Sequence, residues 1–111
     1  MSIRAEKVAS VVRRVLAEPI NDLAREFSAG LATVTSVRMS PDLQVAKIYL
    51  SIFGGKLLPL KFISILEERA GSLRKSVGAN LRLRATPELR FYLDDTLDEM
   101  DRIQKLLDSV K

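Results

Sequence analysis

The apolar residues of this 111-residue chain change from helical to alternating spacing and back, and this order of periodicities constrains the fold more than any other feature. Residues 2–27 carry apolar side chains at helical spacing, which predicts an amphipathic helix. Proline has no amide hydrogen and clashes with the preceding helical turn. We therefore expect Pro19 to cause a kink or a break into two helices near Glu18.

Two segments with strand character follow the helical pattern. Residues 31–39 are rich in Thr and Val, and residues 45–53 alternate between apolar and polar side chains. The Ser-Pro-Asp sequence at 40–42 is typical of a turn, so we predict an antiparallel hairpin. The apolar residues of the first strand fall out of phase, which predicts a bulge near Ser36.

A second helical pattern covers residues 59–81 and contains a glycine. Because glycine costs about 1 kcal/mol relative to alanine inside a helix, we predict two helices that meet at a bend near Ala70 and Gly71. Residues 89–93 alternate again and predict a third strand, and residues 96–99 form a capping-box sequence that predicts a last helix. The predicted order is α-β-β-α-α-β-α, an α+β fold.

The composition limits the number of domains and the possible chemistry. A chain of 111 residues predicts a single domain over residues 1–111. With no Cys and no His, the chain cannot form disulfides, thiolate or imidazole metal sites, or a catalytic histidine base. It has no apolar run long enough to span a membrane and no start typical of a secretion signal. We therefore expect a cytoplasmic protein with no membrane partner.

The charges are distributed unevenly. The net charge of +4 favours an anionic partner, and residues 69–84 contain no acid but five cations: Arg69, Arg74, Lys75, Arg82 and Arg84. Cations projecting from one rigid helix and its exit loop suit a phosphate backbone. The alternative is that they are solvated helix residues, some of them paired with Glu67, Glu68 or Glu88.

Residues 94–108 hold six acids against two cations. Carboxylates are ligands for Mg²⁺, so a metal site for phosphodiester cleavage is one interpretation. The other interpretation is electrostatic, because negative charge at the start of a helix is stabilised by the helix dipole. We favour the second interpretation and predict no metal site.

Two tyrosines are expected on the side of the sheet that does not face the core. Tyr49 alternates with the apolar residues of the second strand, and Tyr92 does so in the third. Aromatic side chains at such positions can stack on nucleic-acid bases. More often, tyrosines at such positions are amphipathic surface residues, and two aromatic side chains are a weak signal for base stacking.

Several short sequences in fixed order resemble one family. They are Ser40-Pro41-Asp42-Leu43, Ala46-Lys47-Ile48-Tyr49-Leu50-Ser51, Gly71 with Arg74, Leu81-Arg82-Leu83-Arg84, Thr86-Pro87-Glu88-Leu89-Arg90-Phe91, and Asp94-Asp95. Together they resemble the ribosome-binding factor A family over residues 4–107. No single sequence is decisive, but their order and spacing cover nearly the whole chain.

The resemblance implies a type II KH-like fold, with a three-stranded sheet, helices on one face and a C-terminal helix. It also implies a bacterial assembly factor that binds the free small (30S) ribosomal subunit, aids maturation of its 16S rRNA and contributes to cold adaptation. Such a factor is not an enzyme and needs no cofactor, and we expect a monomer without a small-molecule substrate. Family members have a small-x-Gly bend between the central helices, where this chain has Arg69-Ala70-Gly71.

The leading hypothesis is a non-catalytic RNA-binding module. Its candidate phosphate contacts are Arg69, Arg74, Lys75, Arg82, Arg84 and Lys47, placed around the bend at Ala70 and Gly71. A second hypothesis is a protein-interaction domain whose basic segment is merely solvated. A third is a carboxylate–metal nuclease that depends on Asp94 and Asp95.

Overall fold

A three-stranded sheet lies at the centre of the computed structural model, which describes residues 2–83 and 85–94. The helices are α1 (Ile3–Glu26), α2 (Pro59–Glu68) and α3 (Ala70–Gly78), and the strands are β1 (Gly30–Met39), β2 (Val45–Gly54) and β3 (Glu88–Leu93). The predicted α-β-β-α-α-β order and α+β class are therefore confirmed through β3. The predicted last helix lies outside the described residues.

The sheet is mixed, with strand order β1-β2-β3. Strands β1 and β2 form the predicted antiparallel hairpin, and the register shifts between Val34 and Ser36, which confirms the bulge. Strand β3 pairs with β2 in parallel, from Val45 with Glu88 to Leu50 with Leu93. The central strand thus has hydrogen-bonded neighbours on both sides.

The turn between β1 and β2 is held by side chains. The Ser40 hydroxyl donates to Asp42 Oδ1 at 2.6 Å and accepts from the Val45 amide at 3.0 Å. The Gln44 amide donates to the same carboxylate oxygen at 3.1 Å. The hydrogen bond from the Ser40 hydroxyl, and after it the one from the Gln44 amide, lower the pKa of Asp42 below its ordinary value. The predicted turn sequence therefore closes the hairpin through its own polar groups.

Helix α1 continues through Pro19, so the predicted alternative of two separate helices is wrong. Leu16, Ile20 and Ala24, on either side of the proline, are fully buried. Their packing against the sheet offsets the missing backbone hydrogen bond, because burying one large aliphatic side chain contributes about 1.5–3 kcal/mol. At the N-terminus of α1, the Ser2 hydroxyl caps the helix by accepting from the Ala5 amide at 3.1 Å.

The three described helices pack on one face of the sheet and form a single hydrophobic core with it. The residues with no exposed surface are Val12, Leu16, Ile20, Ala24, Ala46, Ile48, Leu50, Phe62, Leu66 and Val77. The alternating strand positions point the other way. We call this second side the outer face and define it by Arg38, Lys47, Tyr49, Arg90 and Tyr92.

The junction of α2 and α3 lies at Arg69, which has φ −95° and ψ 7°. The predicted bend is thus confirmed to within one residue. Gly71 is already inside α3, is exposed, and has open space where a Cβ would lie. The bend therefore does not depend on this glycine.

The open end of the hairpin does depend on glycine. Gly30 has φ +90°, and a Cβ there would overlap the backbone of Phe53, Gly54 and Gly55. The same approach lets the Lys56 amide donate to the Ser28 carbonyl at 2.8 Å. A side chain at Gly30 would push these two backbone segments apart.

We predict that Gly30→Ala lowers the free energy of unfolding by at least about 1–2 kcal/mol, because it combines left-handed backbone with steric overlap. Gly71→Ala is the matched control and should leave stability unchanged or raise it by up to about 1 kcal/mol, since alanine favours helix. Urea denaturation of both variants measures this. Equal destabilisation by the two substitutions would contradict the assignment.

Candidate nucleic-acid interface

Arg69 stands at the junction of two helices, and its backbone belongs to both. Its amide donates to the Ile65 carbonyl at 3.0 Å, and its carbonyl accepts from the Leu73 amide at 3.0 Å. Its guanidinium carbon lies 5.7 Å from the centre of the Phe27 ring, just after α1. This cation–π contact orients the exposed charge at the bend toward the end of α1.

Arg74 has a structural role that the sequence did not reveal. Its Nε donates to the Pro87 carbonyl at 3.1 Å, and its Nη2 donates to the Thr86 carbonyl at 2.8 Å. The side chain therefore ties α3 to the loop that leads into β3. Because a guanidinium has five N–H groups, the remaining ones can still contact a phosphate. Arg74 is thus a fixed charge, in contrast to a freely solvated one.

Among the cations beside the bend, Lys75 and Arg82 are exposed and make no such contact within the described residues. Lys75 lies on α3, and Arg82 lies in the loop that follows it. Within residues 2–83 and 85–94, the ion pairs are Arg25 with Asp22 and Arg90 with Glu88. The cations beside the bend are therefore not neutralised by a carboxylate of the described chain. We call Arg69, Arg74, Lys75 and Arg82 the bend surface.

Two of the predicted contacts are not part of this surface. Arg84 lies outside the described residues. Lys47 is on the outer face of the sheet, because its neighbours Ala46 and Ile48 point into the core. The structure thus divides the candidate residues between the two sides of the molecule.

The position of Lys47 reveals two cations that the sequence reasoning missed. Arg38 is its register partner on β1, and Arg90 is its partner on β3. Each was separated from the basic segment along the chain, and only the strand pairing brings them together. The alternation of Arg90 with apolar neighbours indicated which face of the sheet it occupies, but it did not indicate which residue of β2 lies beside it.

The described residues contain no group of three or more acidic side chains arranged to hold a metal ion. Asp94 is described, and its carboxylate accepts from the Thr35 hydroxyl at 2.6 Å. The other acids of the predicted cluster, from Asp95 onward, lie outside the described residues. No described helix is both long and apolar enough to cross a membrane.

We predict that Arg74→Ala lowers stability by about 1–3 kcal/mol, because two charge-assisted hydrogen bonds to the loop are lost. Lys75→Ala, at the adjacent position, also removes one positive charge but breaks no described hydrogen bond. It should therefore change stability by less than about 0.5 kcal/mol. Thermal or urea unfolding of the two variants makes the comparison. If the two variants are equally stable, the hydrogen bonds of Arg74 do not fix the loop.

Comparison with known proteins places this arrangement in a family. The family model described as ribosome-binding factor A matches residues 4–107. A ribosome-binding factor A from Desulforamulus reducens is 36% identical over 110 residues, covering 99% of this chain and 92% of the relative. The protein of that name from Chlorobaculum parvum is 40% identical over 113 residues, covering 100% and 93%.

Solved structures agree with the sequence comparison. The crystal structure of ribosome-binding factor A from Thermus thermophilus superposes with a TM-score of 0.68 at 25% identity, covering 80% of this chain and 94% of that one. A homology model of the Thermus thermophilus protein, fitted into the cryo-EM map of its 30S complex, gives a TM-score of 0.62 at 25% identity, covering 76% of this chain and 88% of that one. The chain therefore belongs to the ribosome-binding factor A family.

Proposed function

We propose that this chain is a non-catalytic factor that binds the free small ribosomal subunit through its 16S rRNA and assists maturation of that RNA. The observation that carries the proposal is the bend surface, where Lys75 and Arg82 are exposed with no carboxylate partner among the described residues. RNA is the polyanion that such a surface fits best, because each neutralised phosphate releases bound counterions.

Family membership supports the choice of partner. The relatives are named for ribosome binding, and the Thermus thermophilus protein has been placed in a 30S complex. We extend this partner to the present chain, and with it a cytoplasmic, monomeric, single-domain factor over residues 1–111. The KH-like fold alone does not decide the choice, because KH modules hold RNA through a Gly-x-x-Gly loop that this sequence lacks.

The mechanism follows from binding alone. A factor that contacts one rRNA conformation better than another shifts their populations by its difference in affinity for the two. Rigid positioning makes this discrimination sharper, because less conformational freedom is lost on binding. Arg74 supplies that rigidity by holding the loop after α3 against the helix. We infer a greater requirement at low temperature, where alternative RNA conformations interconvert more slowly.

The test is a salt titration of binding to purified small subunits. We expect the Lys75→Ala, Arg82→Ala double variant to bind more weakly and to reduce the slope of log affinity against log salt by about 1.4–1.8, because two phosphate contacts are lost. The control is Arg13→Ala with Arg14→Ala, which removes the same charge from exposed positions of α1. A double variant that matches wild type in slope and affinity would contradict the proposal.

A protein-interaction module is the second candidate, and exposed apolar side chains favour it. Leu31 and Phe53 are cross-strand partners at the hairpin end, and both are exposed, as are Leu58 and Leu60. Exposed apolar surface can mark a protein contact where it is contiguous, as it is for Leu31 and Phe53. If the protein stays off small subunits at low salt and instead captures a defined protein, this second function replaces the first.

A further inference from the structure

Three cations lie side by side across the outer face of the sheet. Arg38 pairs in register with Lys47, and Lys47 pairs in register with Arg90, so the row crosses all three strands. Adjacent strands are about 4.8 Å apart, which brings the bases of these side chains close together. Like charges directly opposite one another destabilise a sheet. Repulsion among these three cations is therefore a cost to the stability of the sheet.

Two acids of the described chain lie beside these three cations. Glu88 forms an ion pair with Arg90 at 3.2 Å. Both partners are at least half exposed, and such surface pairs contribute little. Asp94 lines a pocket together with Arg38 and Tyr49 while accepting from the Thr35 hydroxyl. Arg38 and Lys47 have no described ion pair. The row thus presents positive charge on the side of the sheet away from α1, α2 and α3.

On the same face, the next pair of opposing residues along β2 and β3 is aromatic. Tyr49 and Tyr92 are cross-strand partners whose ring centres are 5.4 Å apart, with an angle of 27° between the planes. The guanidinium carbon of Arg38 lies 5.8 Å from the centre of the Tyr49 ring. Tyr92 keeps 38% of its surface exposed. An aromatic pair with accessible ring surface therefore borders the basic row.

We propose that the outer face binds unpaired nucleotides of RNA. Bases stack on the Tyr49–Tyr92 pair, while Arg38, Lys47 and Arg90 contact the phosphates. An acidic peptide would satisfy the cations but would make no use of the tyrosine rings. Double-stranded RNA would satisfy the cations too, but its bases are already stacked in the helix. Single-stranded RNA uses both features.

This surface is separate from the bend surface, since the sheet lies between them. The inference rests on the proposed function for the identity of the RNA, which would be a single-stranded part of the rRNA. A factor with cations on both sides of its sheet can contact two RNA segments at once. Such bivalent contact raises the affinity for RNA in which the two segments are suitably placed.

The tyrosine content of the chain provides a direct measure of RNA binding at the outer face. The sequence contains two tyrosines and no tryptophan, so tyrosine emission comes from the outer face alone. We expect an eight-nucleotide oligouridylate to quench this emission in the full-length protein, with the same midpoint as binding measured by fluorescence anisotropy. An RNA duplex of equal length should bind without comparable quenching. Free N-acetyltyrosinamide with the same RNA corrects for absorption of the exciting light.

Substitutions identify the two kinds of contact. Tyr92→Ala should weaken oligouridylate binding by about 5- to 150-fold, whereas Tyr92→Phe should retain it, because the ring supplies the stacking. Arg38→Ala should reduce the salt slope by about 0.7, the value for one phosphate of a single strand. Arg14→Ala, at an exposed position of α1 outside both surfaces, should leave the quenching unchanged. Unfolding curves confirm that each variant is folded.

The possible failures can be told apart. Oligouridylate binding without quenching, or a folded Tyr92→Ala variant that binds like wild type, overturns the inference and leaves small-subunit binding through the bend surface standing. Quenching by oligouridylate in a protein that does not sediment with small subunits supports the inference and refutes the proposed function. Equal quenching by polyglutamate overturns the RNA assignment in favour of an acidic protein.

Discussion

Strand β2 is the constraint on which the rest of the molecule depends. Its inward side chains Ala46, Ile48 and Leu50 are completely buried, and its backbone pairs with one neighbour in each direction. A tight turn is enough for the antiparallel pairing with β1, but parallel pairing with β3 requires a long crossover. Helices α2 and α3 are that crossover. The bend and its cations therefore lie where they do because β3 must reach the edge of β2.

The four residues of the bend surface are not equivalent, although each carries one positive charge. Arg69 is oriented by the Phe27 ring, and Arg74 holds the carbonyls of Thr86 and Pro87. Lys75 and Arg82 are free of described ion pairs. Two of the charges thus help to build the surface on which the other two are displayed, so loss of binding in an Arg74 variant has to be separated from loss of local order.

Local signals in the sequence were enough for the order of the elements. The turn at Ser40, the bulge near Ser36 and the helix junction near Ala70 were all predictable, because each depends on residues that are neighbours in the chain. The effect of Pro19 could not be predicted from its neighbours, because it depends on the packing of α1 against a sheet whose strands come later in the chain. The charges next to the bend were visible as a run without acids.

The grouping of Arg38, Lys47 and Arg90 could not be predicted in the same way. It depends on the register between β2 and β3, and periodicity indicates which face a residue occupies without indicating its neighbour on the next strand. The contacts of Arg74 with backbone carbonyls were equally hidden, because carbonyl groups carry no sequence signature. What the sequence lacks in both cases is information about pairs of distant residues.

The parallel pairing also has a kinetic consequence. Val45 pairs with Glu88 across the whole crossover formed by α2 and α3. The β1–β2 hairpin, in contrast, pairs residues that are close together in the chain. Contacts between residues far apart in the chain carry a larger loop-closure cost and form slowly. Docking of β3 is therefore expected late in folding, and the Tyr49–Tyr92 pair is assembled by that same event. Until β3 docks, a newly synthesised chain therefore lacks both the Tyr49–Tyr92 pair and the register that sets Arg90 beside Lys47.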